Sequence, residues 1–321
     1  MGDLQVDWAE EKRRKVVIED QRRFLWRDDT VAMHARWLGL RPGMSVLDVG
    51  CGQGYVGYTW WPFIGGGGSY TGVDNCAGLL GKAAALSPGW VRDGTAGFVR
   101  GDARSLPFPD GSFDWTVCQT VLMHAADPVS ILSEMVRVTR PGGVVSCNEP
   151  DNLAGMRSSA FCSASTPTLE EEILMVRVLR CWAEGRRRLG LGDWSIGPKV
   201  PMMMQTLGLV DIDVRADDRV PFVQPPYGTP EMRFGMEGVR RRIADARAGR
   251  TVARSDDPMK AGFRECFFAG GGTRYTWRRF VGMSARREAE FARAARRQSK
   301  SGSYYHCATC CSFFSIRGTR P

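Results

Sequence analysis

Residues Val46 to Gly54 read VLDVGCGQG, an apolar run that ends in an acid and then in alternating glycines, Gly50, Gly52 and Gly54. The run has the form of a buried strand closing on a tight turn. Glycine serves where φ must be positive or where a ligand lies against the backbone, and the N-terminus of a following helix offers free N–H groups. Such a turn handles a nucleotide.

Two kinds of nucleotide compete for it. Gly52-x-Gly54-x-x-Gly57 matches the dinucleotide fingerprint, with Asp74 at the end of a second strand to hold a ribose. Asp48 argues against that choice, because a carboxylate beside the turn would repel a pyrophosphate. S-adenosylmethionine has no phosphate and carries a sulfonium and an ammonium, so it meets no such conflict.

The following segments agree with this reading. Tyr70-Thr-Gly-Val-Asp74 is a short apolar run ending in an acid suited to two ribose hydroxyls. Gly101-Asp102-Ala103 follows a third strand expected over Gly97 to Arg100, where a short acid would accept from an adenine amine. Leu106-Pro-Phe-Pro-Asp-Gly-Ser-Phe-Asp114 leads into Trp115-Thr-Val-Cys118, and Arg140-Pro-Gly-Gly-Val-Val-Ser146 turns a helix end into another strand. In these ordered motifs the chain resembles the class I S-adenosylmethionine-dependent methyltransferases, of the ubiquinone/menaquinone C-methyltransferase-like branch, over roughly residues 40 to 150.

The resemblance implies a role for each matching position. Asp48, Gly50, Cys51, Gly52 and Gly54 would wrap the methionine part of the cofactor. Asp74 and Asn75 would hold the ribose, and Asp102 with Ala103 the adenine. Gln119, just past the fourth strand, would line the pocket near the methyl group. The chain departs from the pattern at Gly65-Gly66-Gly67-Gly68, which follows Trp60 and Trp61 and lengthens the link to Asp74. It reads as a flexible loop, since no helix start follows it directly.

Strands alternating with helices from Gly43 to Ser146 predict a parallel sheet. The fold class expected is α/β: a Rossmann-like, seven-stranded, mostly parallel sheet with a terminal antiparallel hairpin, plus helical insertions. An N-terminal helical lid is expected over 1–40, with apolar residues near helical spacing from 7 to 39. The cofactor-binding core follows over 41–152, including a helix from Pro128 to Thr139 that Pro141-Gly142-Gly143 terminates. A helical insertion covers 153–198, its main helix opening at a Thr168-x-x-Glu171 capping box and running to about Leu189. The core resumes over 199–220 with a short helix at Met202–Met204 and a strand over Leu209 to Arg215. A basic insertion over 221–305 carries helices near 231–248 and 284–298, and 306–321 holds the last core strand, Cys311 to Arg317.

Several residues stand where acceptor chemistry would occur. His124, just after the fourth strand, is placed to orient a nucleophile or take its proton near neutral pH. Glu149, in the polar cluster Asn148-Glu-Pro-Asp-Asn152 after the fifth strand, is the other candidate base, with Asp151 beside it. The resemblance also places Trp26 and Arg27 near substrate, although simple packing and capping explain them equally. A base is required only where the acceptor must lose a proton, because the sulfonium already activates the methyl and the enzyme must mainly align it and exclude water. Cys307-x-x-Cys310-Cys311 beside His306 has no second spaced pair to complete a zinc site, so no metal is expected.

The chain has 321 residues, ten cysteines without a framework of paired spacings, and a formal net charge of +9. No apolar run reaches the ~18 residues of a membrane span, and residues Asp3 to Arg14 are charged, unlike a signal peptide. A reducing cytoplasm fits the thiols. Much of the positive charge is arginine after residue 230, which either solvates helix faces or attracts an acidic partner. The reading is a methyltransferase for a small or medium-sized acceptor. Its rivals are an RNA or protein acceptor read by the arginine-rich insertion, a non-catalytic cofactor-binding subunit, and an NAD-dependent oxidoreductase. Carbon, oxygen, nitrogen and sulfur acceptors are all compatible with these residues.

Overall fold

The computed structural model describes residues 26–87, 89, 95–157, 161–216, 220, 222–249, 262–307 and 312–321. The chain runs α1 (Asp28–Leu38), β1 (Ser45–Val49), α2 (Tyr55–Ile64), β2 (Ser69–Asp74), α3 (Ala77–Leu86), β3 (Ala96–Arg100) and β4 (Phe113–Gln119). It continues with α4 (Pro128–Val138), β5 (Thr139–Asp151), α5 (Asn152–Arg157), β6 (Phe161–Cys162), α6 (Leu169–Arg188), α7 (Val200–Thr206) and β7 (Val210–Ala216). The remainder is β8 (Phe222–Val223), α8 (Pro230–Arg247), α9 (Phe263–Ala269), α10 (Arg274–Ser301), β9 (His306–Cys307) and β10 (Ser312–Thr319). These elements form two compact units, one within 7–151, 192–218 and 313–321, the other within 152–191 and 219–312.

The first unit is a seven-stranded sheet in the order β3-β2-β1-β4-β5-β10-β7. Strands β3, β2, β1, β4 and β5 pair in parallel, and β10 pairs antiparallel with β7. Period-two alternation divides β1 between the two faces of the sheet. Leu47 and Val49 pack with Leu132, Met135 and Val138 of α4. Val46 packs on the other face with Trp60 and Ile64 of α2 and with Tyr70 and Trp115. Asp48 shares the face of Val46. Helix α4 starts where Pro128 follows Asp127, whose side chain accepts from the Ser130 N–H. The tetraglycine run is a loop in which Gly66 and Gly67 are exposed, and only its end is tightly packed, since a side chain at Gly68 would overlap the Ile64 carbonyl.

The second unit packs α6 with α9 and α10, and α8 with α10, beside a small sheet in the order β6-β9-β8. Trp182 stacks on Phe263, and Phe263 on Phe280. The capping box expected at the start of α6 is present: Thr168 Oγ1 accepts from the Glu171 N–H, and Glu171 accepts from the Thr168 N–H. Glu171 also accepts from Arg286 and Arg287 of α10, and its pKa is pushed down to about 2 by the Thr168 N–H first and then by these arginines. Replacing Thr168 with alanine is expected to cost about 1 kcal/mol, read as a lower urea midpoint with the same slope.

Three expected boundaries shift. Helix α10 begins at Arg274, ten residues before the basic stretch, because Thr273 caps it and Phe280 and Met283 anchor its first turns. His306 and Cys307 form β9 in the small sheet and not the last core strand, which is β10. Residues 192–198 group with the first unit, not with the insertion before them. The part of the N-terminal helix before residue 26, and Cys310 and Cys311, lie outside the described residues. No helix among the described residues is long and apolar enough to cross a membrane.

Candidate active site

The glycine turn leaves the carboxyl end of β1 with Gly50, Gly52 and Gly54 at φ of 69°, 54° and 79°, a region that side-chain-bearing residues adopt at a cost. The Gly50 and Cys51 N–H groups donate to the Val73 carbonyl at 2.8 and 3.0 Å. This carries the β1–β2 pairing one step past the strand, and α2 then opens at Tyr55.

Asp74, at the end of β2, ties the turn down. Its Oδ2 accepts from the Gly52 N–H at 2.9 Å and its Oδ1 from the Cys76 N–H at 2.8 Å. One carboxylate thus spans the loops after β1 and β2. Each oxygen keeps acceptor capacity for a further donor. Asn75 follows, its carbonyl accepting from Arg100 Nε.

Asp48 is 1% exposed, and its Oδ2 accepts from the Tyr70 hydroxyl at 2.6 Å. Burial first, and the neighbouring Asp48 carboxylate second, push the Tyr70 phenol well above its ordinary range, so it stays a donor. Tyr70 was not among the expected site residues. A signal was present, since an acid on the inner face of a buried strand needs a donor nearby.

Asp102 is engaged within its own turn. Its oxygens accept from the N–H of Arg104 at 2.9 Å and from the Arg104 guanidinium at 2.7 Å, which hold its carboxyl below the usual range. The carboxylate therefore shapes its own turn, and Ala103 packs against the core beneath.

Beyond β4 the chain turns sharply. Gln119 is buried and lies in register with Asn148. Thr120 has φ of 55°, and its N–H donates to the Asn148 carbonyl at 2.9 Å. A short 3₁₀ turn, Leu122–His124, follows, with His124 half-buried.

Glu149, expected as a general base, is 0% exposed. Its Oε1 accepts from the N–H groups of Val121 and Leu122 at 2.8 and 2.9 Å, and its Oε2 from that of Met123 at 3.2 Å. The carboxylate is thus engaged by the loop that carries His124. Burial pushes its pKa up to about 7 against the lowering effect of these N–H groups. Asp151 closes β5 two residues later and is half-buried.

The loops after β1, β2 and β4 therefore meet the end of β5 at the carboxyl ends of parallel strands, where open α/β sheets bind ligands. Trp26 packs edge-on against His34 and Trp60 at 5.3 and 5.7 Å, and Arg27 makes an exposed ion pair with Asp29.

Comparison with known proteins agrees with this geometry. A family model described as a methyltransferase domain matches residues 47–147. The chain is 39% identical over 114 residues to demethylmenaquinone methyltransferase of Staphylococcus aureus, covering 35% of this chain and 45% of that one. It is 32% identical over 124 residues to 2-phytyl-1,4-naphtoquinone methyltransferase of Synechocystis, covering 38% and 52%. It is 35% identical over 121 residues to sterol 24-C-methyltransferase ERG6B of Gibberella zeae, covering 36% and 31%. The chain thus spans between about a third and a half of the length of these relatives.

Proposed function

We propose that this chain, whose residues 47–147 match a family model described as a methyltransferase domain, is a class I S-adenosylmethionine-dependent methyltransferase that methylates a small or medium-sized acceptor. The observation that carries the reading is the Asp74 carboxylate bound to both the Gly52 and Cys76 N–H groups. It makes one rigid cradle of the glycine turn and the ribose acid. The buried Asp48–Tyr70 pair supports the same cofactor over a dinucleotide. A pyrophosphate would add negative charge beside an anion held in low dielectric, whereas a sulfonium and an ammonium would be attracted to it.

In this reading the Gly50–Gly54 turn would hold the amino-acid part of the cofactor, Asp74 with Asn75 the ribose, the Asp102–Ala103 turn the adenine, and Gln119 the wall near the methyl. S-adenosylmethionine, when bound, supplies a methyl already activated by its sulfonium. The chain's own residues must align the acceptor in line with it and exclude water. His124 is the proposed group to orient the acceptor or take its proton, with Asp151 nearby in sequence to the loop's anchor on β5.

The relatives' names favour apolar acceptors such as quinols and sterols. A reducing, cytoplasmic setting suits the buried thiols of Cys51, Cys118, Cys147 and Cys266, none of which is in a disulfide. A second reading, RNA as the acceptor, is favoured by Arg278, Arg279, Arg293, Arg296 and Arg297, all exposed on α10. Incubation with methyl-labelled S-adenosylmethionine and a panel of quinols, phenols and sterols, alongside bulk RNA, separates the two. Label in a small molecule supports the first reading. Label in RNA alone replaces it with the second, and label in neither, together with no affinity for S-adenosylhomocysteine, removes both.

A further inference from the structure

Glu149 receives three successive N–H groups, those of Val121, Leu122 and Met123, although it is 27 residues or so away in sequence. No cation is paired with it among the described residues. The groups facing it are the Cys118 thiol of β4, 3.8 Å away, and behind that Cys147 of β5 and Asp48 of β1. A fully buried anion without a cation is costly unless fixed dipoles satisfy it, and here the backbone N–H groups of residues 121–123, with the Cys118 thiol, do so.

The same loop is confined from two further sides. The Val121 side chain fills the space in which Gly50 would carry a side chain: a Cβ there would lie 2.5 Å from Val121 Cγ2. On another side the Gly192 backbone lies so close that a side chain would overlap the Met123 carbonyl. At the loop's start, Thr120 holds a left-handed conformation that an ordinary residue adopts only when its surroundings impose it. The loop therefore has one set position, and that position touches the cofactor turn.

Resting on the methyltransferase reading, we propose that Glu149 is a positioning residue. Its carboxylate sets the Val121–Met123 backbone against the Gly50 turn, and thereby couples occupancy of the cofactor cradle to the placement of His124. It touches no reacting atom itself. The coupling runs both ways, since two sites that bias one element must affect each other equally. Burial, opposed by the three N–H groups, places its titration near neutrality. The ionised form holds all three donors, and protonation takes an acceptor site from the loop. Relative to a buried carboxyl that has lost the loop, the three N–H groups lower its pKa, so ionisation favours loop order, which should be complete only well above pH 7 and be lost as pH falls through it.

The test uses the full chain and S-adenosylhomocysteine as probe, with amide hydrogen exchange of residues 121–123 and calorimetric affinity followed between pH 6 and 8. In Glu149→Gln, which keeps one acceptor oxygen but presents an N–H₂ to a third donor, these amides should exchange roughly tenfold faster at pH 8. Affinity for the probe should fall by roughly fivefold to tenfold at pH 8 and lose its pH dependence. Val121→Ala should leave the amides protected yet abolish their further slowing by the probe. Far-UV circular dichroism confirms that each variant is folded. Equal protection in wild type and Glu149→Gln, or the same pH dependence of affinity in both, would overturn the proposal. Should neither protein bind the probe, the methyltransferase reading fails, and the amide exchange by itself still decides whether Glu149 holds the loop.

Discussion

Replacing Asp74 with alanine is expected to weaken S-adenosylhomocysteine binding by roughly a hundredfold. The carboxylate performs two tasks, and both are lost together. It accepts from Gly52 and Cys76 at 2.9 and 2.8 Å, and in the proposed complex it also takes the ribose hydroxyls. Hydrogen bonds to a charged acceptor contribute about 1.5–3 kcal/mol each, partly recovered by water when the acceptor is removed. A net loss of about 3 kcal/mol corresponds to that hundredfold change. Asp74→Asn keeps one acceptor but turns an N–H₂ toward a donor, so a loss of roughly tenfold is expected. Calorimetric titration reads both values. An alanine variant within threefold of wild type would mean that Asp74 only braces the turn.

The largest effect on stability is expected at Gly185, inside α6. A side chain there would overlap the Cys266 carbonyl of α9, and reciprocally one at Gly270 would overlap the Cys181 carbonyl of α6. These atoms are backbone and cannot swing aside, so Gly185→Ala must separate two helices whose contact is set by the absence of side chains. Alanine gains about 1 kcal/mol over glycine in helix propensity. Overpacking costs about 1–3 kcal/mol where side chains yield, and more where backbone must move. The clash wins, with a net loss of about 2–3 kcal/mol expected. Displacement would also disturb the stacked rings of Trp182, Phe263 and Phe280. A drop in urea midpoint with a weakened near-ultraviolet signal is the expected result. A midpoint equal to that of wild type would show that the helices tolerate a wider spacing.

These two residues also illustrate what a single chain discloses. The neighbourhood of Asp74 was legible because its signals are local: an apolar run, an acid and a turn of glycines recur within a few residues. The parallel sheet was legible for the same reason, since period-two alternation in β1 and β4 and the caps of α4 and α6 are short-range signals. Gly185 was not legible, because its partner, Cys266, lies far along the chain and no periodicity marks a close helix crossing. Glu149 was found as an acid at a strand end, but the groups that engage it were not. An acid near a cleft suggests a base, whereas the three N–H groups that occupy it belong to a loop that only the fold brings near. The Arg104 contact of Asp102 was equally unforeseen, although Arg104 lies only two residues on. Strand β9 is too short for any alternation to show.

The central claim is that the turn of Gly50 to Gly54, tied to Asp74, holds S-adenosylmethionine. Calorimetric titration of the wild-type chain with S-adenosylhomocysteine and, separately, with NADH tests it most directly. The account predicts saturable one-to-one binding of S-adenosylhomocysteine at micromolar concentration and none of NADH in the same range. Binding of NADH in preference to S-adenosylhomocysteine would contradict it and return the glycine turn to a dinucleotide.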